Sequence, residues 1–179
     1  MFKIKIYILF ILVFSLNFCF AQKTRQEKSG DILQIALPVI AATSTFFYKD
    51  GQKGGLQFAK AMVVSIVVTH ALKTIINKKR PNGGNYAFPS GHTSAAFTGA
   101  AFIEKRYGFK IGIPAYLLAS YVGVTRVNAK KHDYWDVLAG AIVGIGSSYF
   151  FTKPYKKNKL SLSLGNLNND LVIGINYKF

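Results

Sequence analysis

The stretch "TRVNAKKHDYWD", Thr125–Asp136, joins two predicted helices and carries Arg126, His132 and Asp136. The chain has only seven Asp plus Glu against 23 Lys plus Arg, so carboxylates beside so basic a turn need a reason. Residues four apart on a helix share a face, and we therefore predict that His132 and Asp136 meet. A carboxylate that accepts from one imidazole nitrogen fixes the tautomer and leaves the other nitrogen free as a base or nucleophile.

The other charged residues of this stretch have simpler interpretations. Asp133 follows His132 directly, and the helical period turns its side chain about 100° away. We interpret Asp133 as a first-turn carboxylate that the helix dipole favours. Lys130 and Lys131 are interpreted as general electrostatics, whereas Arg126 is a candidate cation of the site.

Upstream, the motif "PSGHTS" (89–94) opens another predicted helix, with Ser90 as its cap. Backbone N–H groups at a helix start form an anion site. His92 in the first turn could give a proton to a bound anion. The alternative is a simple N-cap, which this motif alone would favour.

Further upstream, "KTIINKKRP" (73–81) places Lys73 and Arg80 seven residues apart. That spacing is about two helical turns, so we predict that both side chains point the same way. Arginine offers phosphate a planar fork and lysine a point charge. Lys78 and Lys79 are assigned to a solvated basic helix end.

Together the three motifs favour phosphoryl transfer without a metal. That chemistry needs cations around the equatorial oxygens, an in-line nucleophile and an acid for the leaving group. Magnesium sites need carboxylates, and the acids outside the Asp133/Asp136 pair are scattered. They are Glu27, Asp31, Asp50, Glu104 and Asp170. This scatter argues against a two-metal phosphatase.

Uncharged apolar stretches predict an all-α fold, a compact bundle of five helices, or six with the N-terminal segment. The five lie at 32–48, 56–79, 90–106, 111–126 and 134–151, with Asp31 as a possible cap of the first. The uncharged runs are shorter than the roughly 20 residues of a full span. A compact bundle, short spans and a bundle on a membrane therefore all stay open. Gly140, Gly144 and Ser148 form a stripe that lets another helix approach closely.

The two ends of the chain differ from this helical body. Residues 1–21 carry two lysines, an apolar run and the small-residue site "CFA", which favour a cleaved signal peptide over a first transmembrane helix. Residues 22–30 are predicted to be a loose polar leader. Residues 156–179 are predicted to be a basic linker and a short C-terminal β-hairpin with alternating apolar residues that docks on the helices.

The three motifs, in order and spacing, resemble those of the type 2 phosphatidic acid phosphatase superfamily, which includes bacterial class A acid phosphatases and vanadium haloperoxidases. Lys, six residues, Arg-Pro is met by "KTIINKKRP", and Pro-Ser-Gly-His by "PSGH". The third pattern is Ser-Arg, five residues, His, three residues, Asp, and "TRVNAKKHDYWD" meets it except at Thr125, where serine is usual. Threonine keeps the hydroxyl. The resemblance extends over most of 31–152, so residues 31–155 are predicted to form the helical phosphatase domain.

The resemblance implies a role for each motif residue. His132 would attack phosphorus and carry a transient phosphohistidine, Asp136 would orient it, and His92 would protonate the leaving oxygen. The implied phosphate-binding residues are Lys73, Arg80, Ser90, the Gly91 backbone N–H and Arg126. No metal and no cofactor is implied. Counting the N-terminal segment as a span reproduces the six-span order of the family's integral-membrane members, which keeps a first transmembrane helix open.

The predicted function is a metal-independent phosphatase of a lipid phosphate or diphosphate, such as phosphatidate, undecaprenyl diphosphate or a lipid A phosphate. The protein is expected in the bacterial cell envelope, with its site facing the periplasm. The charge of +16 alone would suit nucleic acid, anionic lipid or phosphorylated substrates as partners. The motifs favour a phosphorylated lipid or a small phosphate ester, and we predict no binding of nucleic acid. The alternatives are a soluble periplasmic acid phosphatase and a non-enzymatic basic protein that binds anionic lipid.

Overall fold

The computed structural model describes residues 24–47 and 53–155 with their side chains, and the backbone of 159–167 and 170–178. The predicted signal peptide or first transmembrane helix, 1–21, lies outside the described residues. Five helices are present in the described part: α1 Arg25–Phe47, α2 Gly54–Ile76, α3 Gly91–Tyr107, α4 Phe109–Asn128 and α5 Tyr134–Phe151. The predicted all-α fold is therefore confirmed, with five helices in the predicted order.

Helix α3 lies at the centre and packs against each of the other four helices. Its buried positions are mostly small, with Phe102 as the one large apolar side chain that is wholly buried there. Small residues let helices approach closely, so the core consists of backbone contacts as much as of apolar side chains. This packing brings the N-terminal end of α3 next to the segments that carry the other two motifs, the end of α2 and the start of α5.

The predicted small-residue stripe on α5 is confirmed as a packing surface against α3. A Cβ added at Gly140 would lie 2.5 Å from the Ser90 carbonyl oxygen, and one at Gly144 would lie 2.5 Å from the Ser94 carbonyl oxygen. Ser148 continues the stripe and donates a 2.7 Å hydrogen bond to the Thr98 carbonyl. The stripe thus fixes how closely α5 can approach the start of α3.

Helix α1 begins earlier than predicted. The loose leader is wrong for residues 25–30, because they form the first turns of α1, and the Thr24 hydroxyl accepts from the Glu27 backbone N–H at 3.1 Å. Asp31 is consequently no cap and lies inside the helix. The apolar pattern missed these turns because their side chains are polar and pack against other charged groups.

Helices α1 and α2 are each 23 residues long and are apolar enough to cross a bilayer. Both also leave large apolar side chains exposed, among them Ile35, Phe46, Val63 and Ile75. The uncharged runs had been too short to predict a span by themselves. The helices are longer than those runs because charged residues, which end an uncharged run, lie inside both helices, such as Asp31 in α1 and Lys60 and Lys73 in α2.

The C-terminal segments form the predicted antiparallel pair, β1 Lys159–Leu167 and β2 Asp170–Lys178. The register runs from Lys159 opposite Lys178 to Leu167 opposite Asp170. Docking of this hairpin on the helices stays a prediction.

Candidate active site

The three motifs meet at one end of the bundle. Lys73 is in the last turn of α2, His92 in the first turn of α3, and Arg126 in the last turn of α4. The Ser90 backbone N–H donates to the Asp136 carbonyl at 2.9 Å, which ties the start of α3 to the start of α5. The ends of four helices, which carry three motifs distant in sequence, therefore converge where a helix N-terminus already favours an anion.

His132 and Asp136 do meet, although not on one helical face. Helix α5 begins at Tyr134 with Asp133 as its N-cap, so His132 lies just before the helix. The His132 Nδ1 and Asp136 Oδ2 atoms are 3.5 Å apart, and both side chains are almost fully buried. The predicted pair is thus present, but a turn rather than a helix positions its histidine.

Asp133 serves the helix start, as predicted. Its Oδ1 accepts from the Asp136 backbone N–H at 3.0 Å, while Asp136 Oδ2 accepts from the Asp133 backbone N–H at 3.1 Å. This reciprocal capping box satisfies two otherwise unpaired donors. It also fixes the orientation of the Asp136 carboxylate that faces His132.

The surroundings of His132 keep its imidazole neutral. Burial, followed by the positive charge of Lys73, lowers the pKa of His132 to about 4, against the opposing effects of Asp136 and the Ala87 backbone. Arg80 adds to the lowering. Within the described residues, the buried His132 Nδ1 has no hydrogen-bond partner. A neutral imidazole at neutral pH retains a lone pair, which a nucleophile requires.

The prediction that Lys78 belongs to a solvated basic helix end is wrong. Helix α2 stops at Ile76 with Asn77 in the left-handed conformation, so Lys78 turns back toward the site. Its Nζ donates to Asp136 Oδ1 at 2.8 Å and forms a closer ion pair with Asp133. Lys79, which was grouped with it, is exposed.

The same early end of α2 changes the geometry of Lys73 and Arg80. Arg80 lies in the loop after the helix, so the prediction of two residues on one helical face is wrong. Lys73 Nζ donates to the Tyr86 carbonyl at 2.9 Å, and both cations act on His132 electrostatically. In the described part of the chain, the buried Nε of Arg80 has no hydrogen-bond partner, so a donor stays available for an anion.

Ser90 is the N-cap of α3, as predicted. Its buried hydroxyl oxygen accepts from the Thr93 backbone N–H at 3.4 Å and from the Thr93 hydroxyl at 2.9 Å. Next to it, Gly91 lies against Lys73, since an added Cβ would be 3.7 Å from the lysine Cε. This proximity places the first-turn N–H groups of α3 beside a cation, so that both could act on one anion.

Arg126 is fully buried and is held by acceptors on two helices. Its Nη1 donates to Asp31 Oδ1 at 2.7 Å and its Nη2 to the Glu27 carbonyl at 2.8 Å. Its Nε donates to the Thr125 hydroxyl at 3.1 Å, which shows what the off-pattern threonine contributes. A guanidinium has five N–H donors, two on each Nη. Among the described residues each Nη makes one hydrogen bond, which leaves a second N–H on each for phosphate.

Asp31 is a site residue that sequence reasoning missed. Its Oδ1 also lies 3.1 Å from His92 Nε2, so one carboxylate contacts both a predicted acid and a predicted phosphate-binding residue. Burial and Arg126 lower the pKa of His92 to about 4, and Asp31 opposes that lowering. The scarcity of acids was the available signal, because Asp31 is one of only seven in the chain.

Comparison with known proteins gives a consistent result. The family profile of the PAP2 superfamily matches residues 82–160, a range that includes His92, Arg126, His132 and Asp136. The lipid A 4'-phosphatase of Helicobacter pylori is 30% identical over 148 residues, covering 76% of this chain and 74% of that protein. A lipid A 1-phosphatase of Helicobacter pylori is 31% identical over 134 residues, covering 70% of this chain and 66% of that protein.

Two solved structures share the fold. The crystal structure of Aquifex aeolicus LpxE superposes with a TM-score of 0.55 at 23% identity, covering 67% of this chain and 83% of that one. The transmembrane PAP2 type phosphatidylglycerolphosphate phosphatase of Bacillus subtilis superposes with a TM-score of 0.53 at 20% identity. That match covers 83% of this chain and 92% of the other.

Proposed function

Because this chain belongs to the PAP2 superfamily, we propose that it removes phosphate from a membrane lipid, with lipid A as the preferred substrate, through a phosphohistidine on His132. It is a phosphoric ester hydrolase of that superfamily. The observation that carries the mechanism is His132 itself: a buried, neutral imidazole beside Asp136 and two cations.

In the first step, a lone pair of the His132 imidazole attacks phosphorus while the bond from phosphorus to the leaving oxygen breaks. Asp136 stabilises the positive charge that forms on the imidazole. The negative charge of the bound phosphate raises the low pKa of His92 and so favours its protonated form. His92 then gives its proton to the leaving oxygen. In the second step, water attacks the phosphohistidine, the N–P bond breaks, and the proton released by the water returns to His92.

The transferring phosphoryl group carries negative charge on its equatorial oxygens throughout, so the remaining site residues act by neutralising it. Lys73, Arg80 and Arg126 supply the cations, and Ser90 and the Gly91 backbone N–H supply donors at the start of α3. Chelators are therefore expected to leave activity unchanged.

Lipid A is proposed as substrate because the two Helicobacter pylori relatives described above are named lipid A phosphatases. Two apolar helices and these relatives indicate a membrane protein. We propose that the N-terminal segment directs export and that the site faces the periplasm, where an envelope lipid phosphate would be reached.

The test is a phosphate-release panel with purified full chain in detergent micelles. The substrates are lipid A, undecaprenyl diphosphate, phosphatidate and a water-soluble phosphate ester. We expect the highest kcat/KM with lipid A, and at least about a hundredfold loss in His132→Ala because covalent catalysis depends on that imidazole. Glu104→Gln, which changes a residue at the far end of α3, serves as control.

The outcomes distinguish the alternatives. Preferential hydrolysis of the soluble ester would replace the lipid substrate with the soluble acid phosphatase interpretation. Full activity in His132→Ala would refute the proposed nucleophile. Lipid binding without any phosphate release by the native protein would favour a non-enzymatic envelope protein.

A further inference from the structure

The carboxylate of Asp31 lies between a predicted acid and a buried cation. Its Oδ1 is 3.1 Å from His92 Nε2 and accepts a 2.7 Å hydrogen bond from Arg126 Nη1. Arg126 is wholly buried, whereas the side chains of Asp31 and His92 keep partial exposure. Asp31 thus stands at the accessible side of this cluster, next to the group assigned to protonate the leaving oxygen.

The backbone of α1 fixes this position. Gly30 is in such close contact with α4 that an added Cβ would overlap the Thr125 hydroxyl and lie 2.7 Å from Arg126 Nη2. One turn earlier, the Glu27 carbonyl accepts from Arg126, and the Glu27 side chain pairs with Lys131. The turn of α1 that leads to Asp31 is therefore anchored to α4 and to the loop after it.

Two roles are compatible with these contacts. Asp31 could act only as a counter-ion that holds Arg126 for phosphate binding. It could instead act through His92, as Asp136 acts through His132. The contact from Oδ1 to Nε2 favours the second role, because a carboxylate that accepts from one imidazole nitrogen settles which nitrogen faces the reacting group.

We propose that Asp31 is the positioning residue of the acid: it accepts the Nε2 proton of His92 and so directs the Nδ1 proton to the leaving oxygen. This inference rests on the proposed function. The site would then contain two Asp–His pairs, one for the nucleophile and one for the acid, with Asp31 contributed by α1 and the other three side chains by α3, α5 and the turn before α5.

The proton balance of the step is complete. The His132 nitrogen forms a bond to phosphorus as the P–O bond of the ester breaks, and the Nδ1 proton of the His92 imidazolium moves to the departing oxygen. His92 is then neutral, with its remaining proton on Nε2 facing Asp31. When water attacks the phosphohistidine, its proton returns to Nδ1, and Asp31 stays ionised throughout.

The charges around His92 explain why an acid there needs a carboxylate. Burial, Arg126 and Lys131 all lower the pKa of His92, and Asp31 is the group that opposes them. Without Asp31, the protonated form required to assist a poor leaving group would be less populated.

The experiment compares two amphiphilic substrates that differ in the leaving group, 4-decylphenyl phosphate and 4-decylbenzyl phosphate. A phenoxide leaves readily without a proton, whereas a benzyl alkoxide depends on the acid. We expect Asp31→Asn to lower kcat/KM for the benzyl ester on the order of tenfold more than for the phenyl ester. Asp31→Glu, which keeps the carboxylate, should restore part of the ratio of the two rates.

A double-mutant cycle with His92→Asn tests whether the effect passes through His92. If Asp31 acts through that imidazole, adding Asp31→Asn to His92→Asn should cause no further change in the benzyl-to-phenyl ratio. Glu104→Gln is the control for loss of a carboxylate, and it lies about 20 Å along α3 from His92. Its ratio should equal that of the native protein.

Equal losses on both esters in Asp31→Asn would overturn the proposal and leave Asp31 as a counter-ion of Arg126. If Asp31→Asn failed to fold, Asp31→Ala would take its place, and an unchanged benzyl-to-phenyl ratio in that variant would overturn the proposal equally. Neither result would touch the proposed function, which is tested separately by the substrate panel and by His132→Ala.

Discussion

Lys78 joins two carboxylates that have different tasks. Its ammonium group contacts Asp133, which caps α5, and Asp136, which faces His132. Because Asp136 is fully buried, its charge depends on Lys78 and on the capping box for compensation. The loop residue therefore controls the orientation of the carboxylate that orients the nucleophile.

Replacing Lys78 by methionine should lower both activity and stability. Removing one partner of a buried hydrogen bond leaves the other unsatisfied, which costs about 1–3 kcal/mol. We expect a fall in the free energy of unfolding of that size, together with roughly a tenfold loss in kcat on the lipid substrate, measured by thermal unfolding and phosphate release.

Lys79→Met is the matched control, since Lys79 is the adjacent lysine and is exposed. It removes the same charge from the same loop and should leave stability and kcat close to native. Equal effects of the two substitutions would mean that the loop contributes only general positive charge.

At the scale of the helices, the contact between α3 and α5 depends on glycine at Gly144. A Cβ there would lie 2.5 Å from the Ser94 carbonyl oxygen and 2.8 Å from the Thr98 nitrogen, both backbone atoms that cannot move aside cheaply. By contrast, a Cβ at Gly146, half a turn further along α5, would meet nothing within 4 Å.

Gly144→Ala should therefore destabilise the protein by about 1–3 kcal/mol, because overpacking forces the helices apart. Gly146→Ala should instead stabilise it by up to about 1 kcal/mol, since alanine is the better helix former. Thermal unfolding in detergent measures both. A Gly144→Ala protein as stable as the native one would show that α5 does not pack closely on α3.

The sequence predicted helices well where apolar runs were long, but the predicted boundaries were wrong at the start of α1 and at the end of α2. Helix α1 starts six residues before the predicted boundary at Asp31, because its first turns are polar and satisfy their charges against α4 and the loop after it. Helix α2 ends at Ile76 because Asn77 adopts the left-handed conformation. The basic residues after Asn77 are compatible with a helix, so the sequence did not indicate this end.

The same two ends explain which site residues were missed. Motif spacing brought Lys73, Arg80, His92, Arg126, His132 and Asp136 into one hypothesis, and the structure brings them to one end of the bundle. Asp31 and Lys78 lie outside any motif, and their contacts span 95 and 58 residues of sequence. Contacts of that kind depend on the packing of whole helices, which local pattern cannot supply.

For the whole molecule, the exposed apolar surface of α1 and α2 has a direct experimental consequence. Burying that surface in hydrocarbon stabilises membrane association by roughly 25 cal/mol per Å², independently of salt. The charge of +16 would by contrast produce an attraction to anionic lipid that salt screens.

We expect the full chain expressed in bacteria to stay in the membrane pellet after high-salt and alkaline carbonate washes, and to be released by detergent. Immunoblotting of the fractions measures this. Release by salt alone would show that the protein is held at the surface by charge and would contradict burial of α1 and α2 in the bilayer.

The anchoring of Arg126 by the first turns of α1 also bears on synthesis. Helix α1 is made before α3 and α4, and it provides the Glu27 carbonyl and the Asp31 carboxylate, while the groups that they contact lie on α3 and α4. A partly made chain therefore has no completed phosphate pocket. We therefore expect hydrolysis to begin only after α5, which carries Asp136, has packed against the helices made before it.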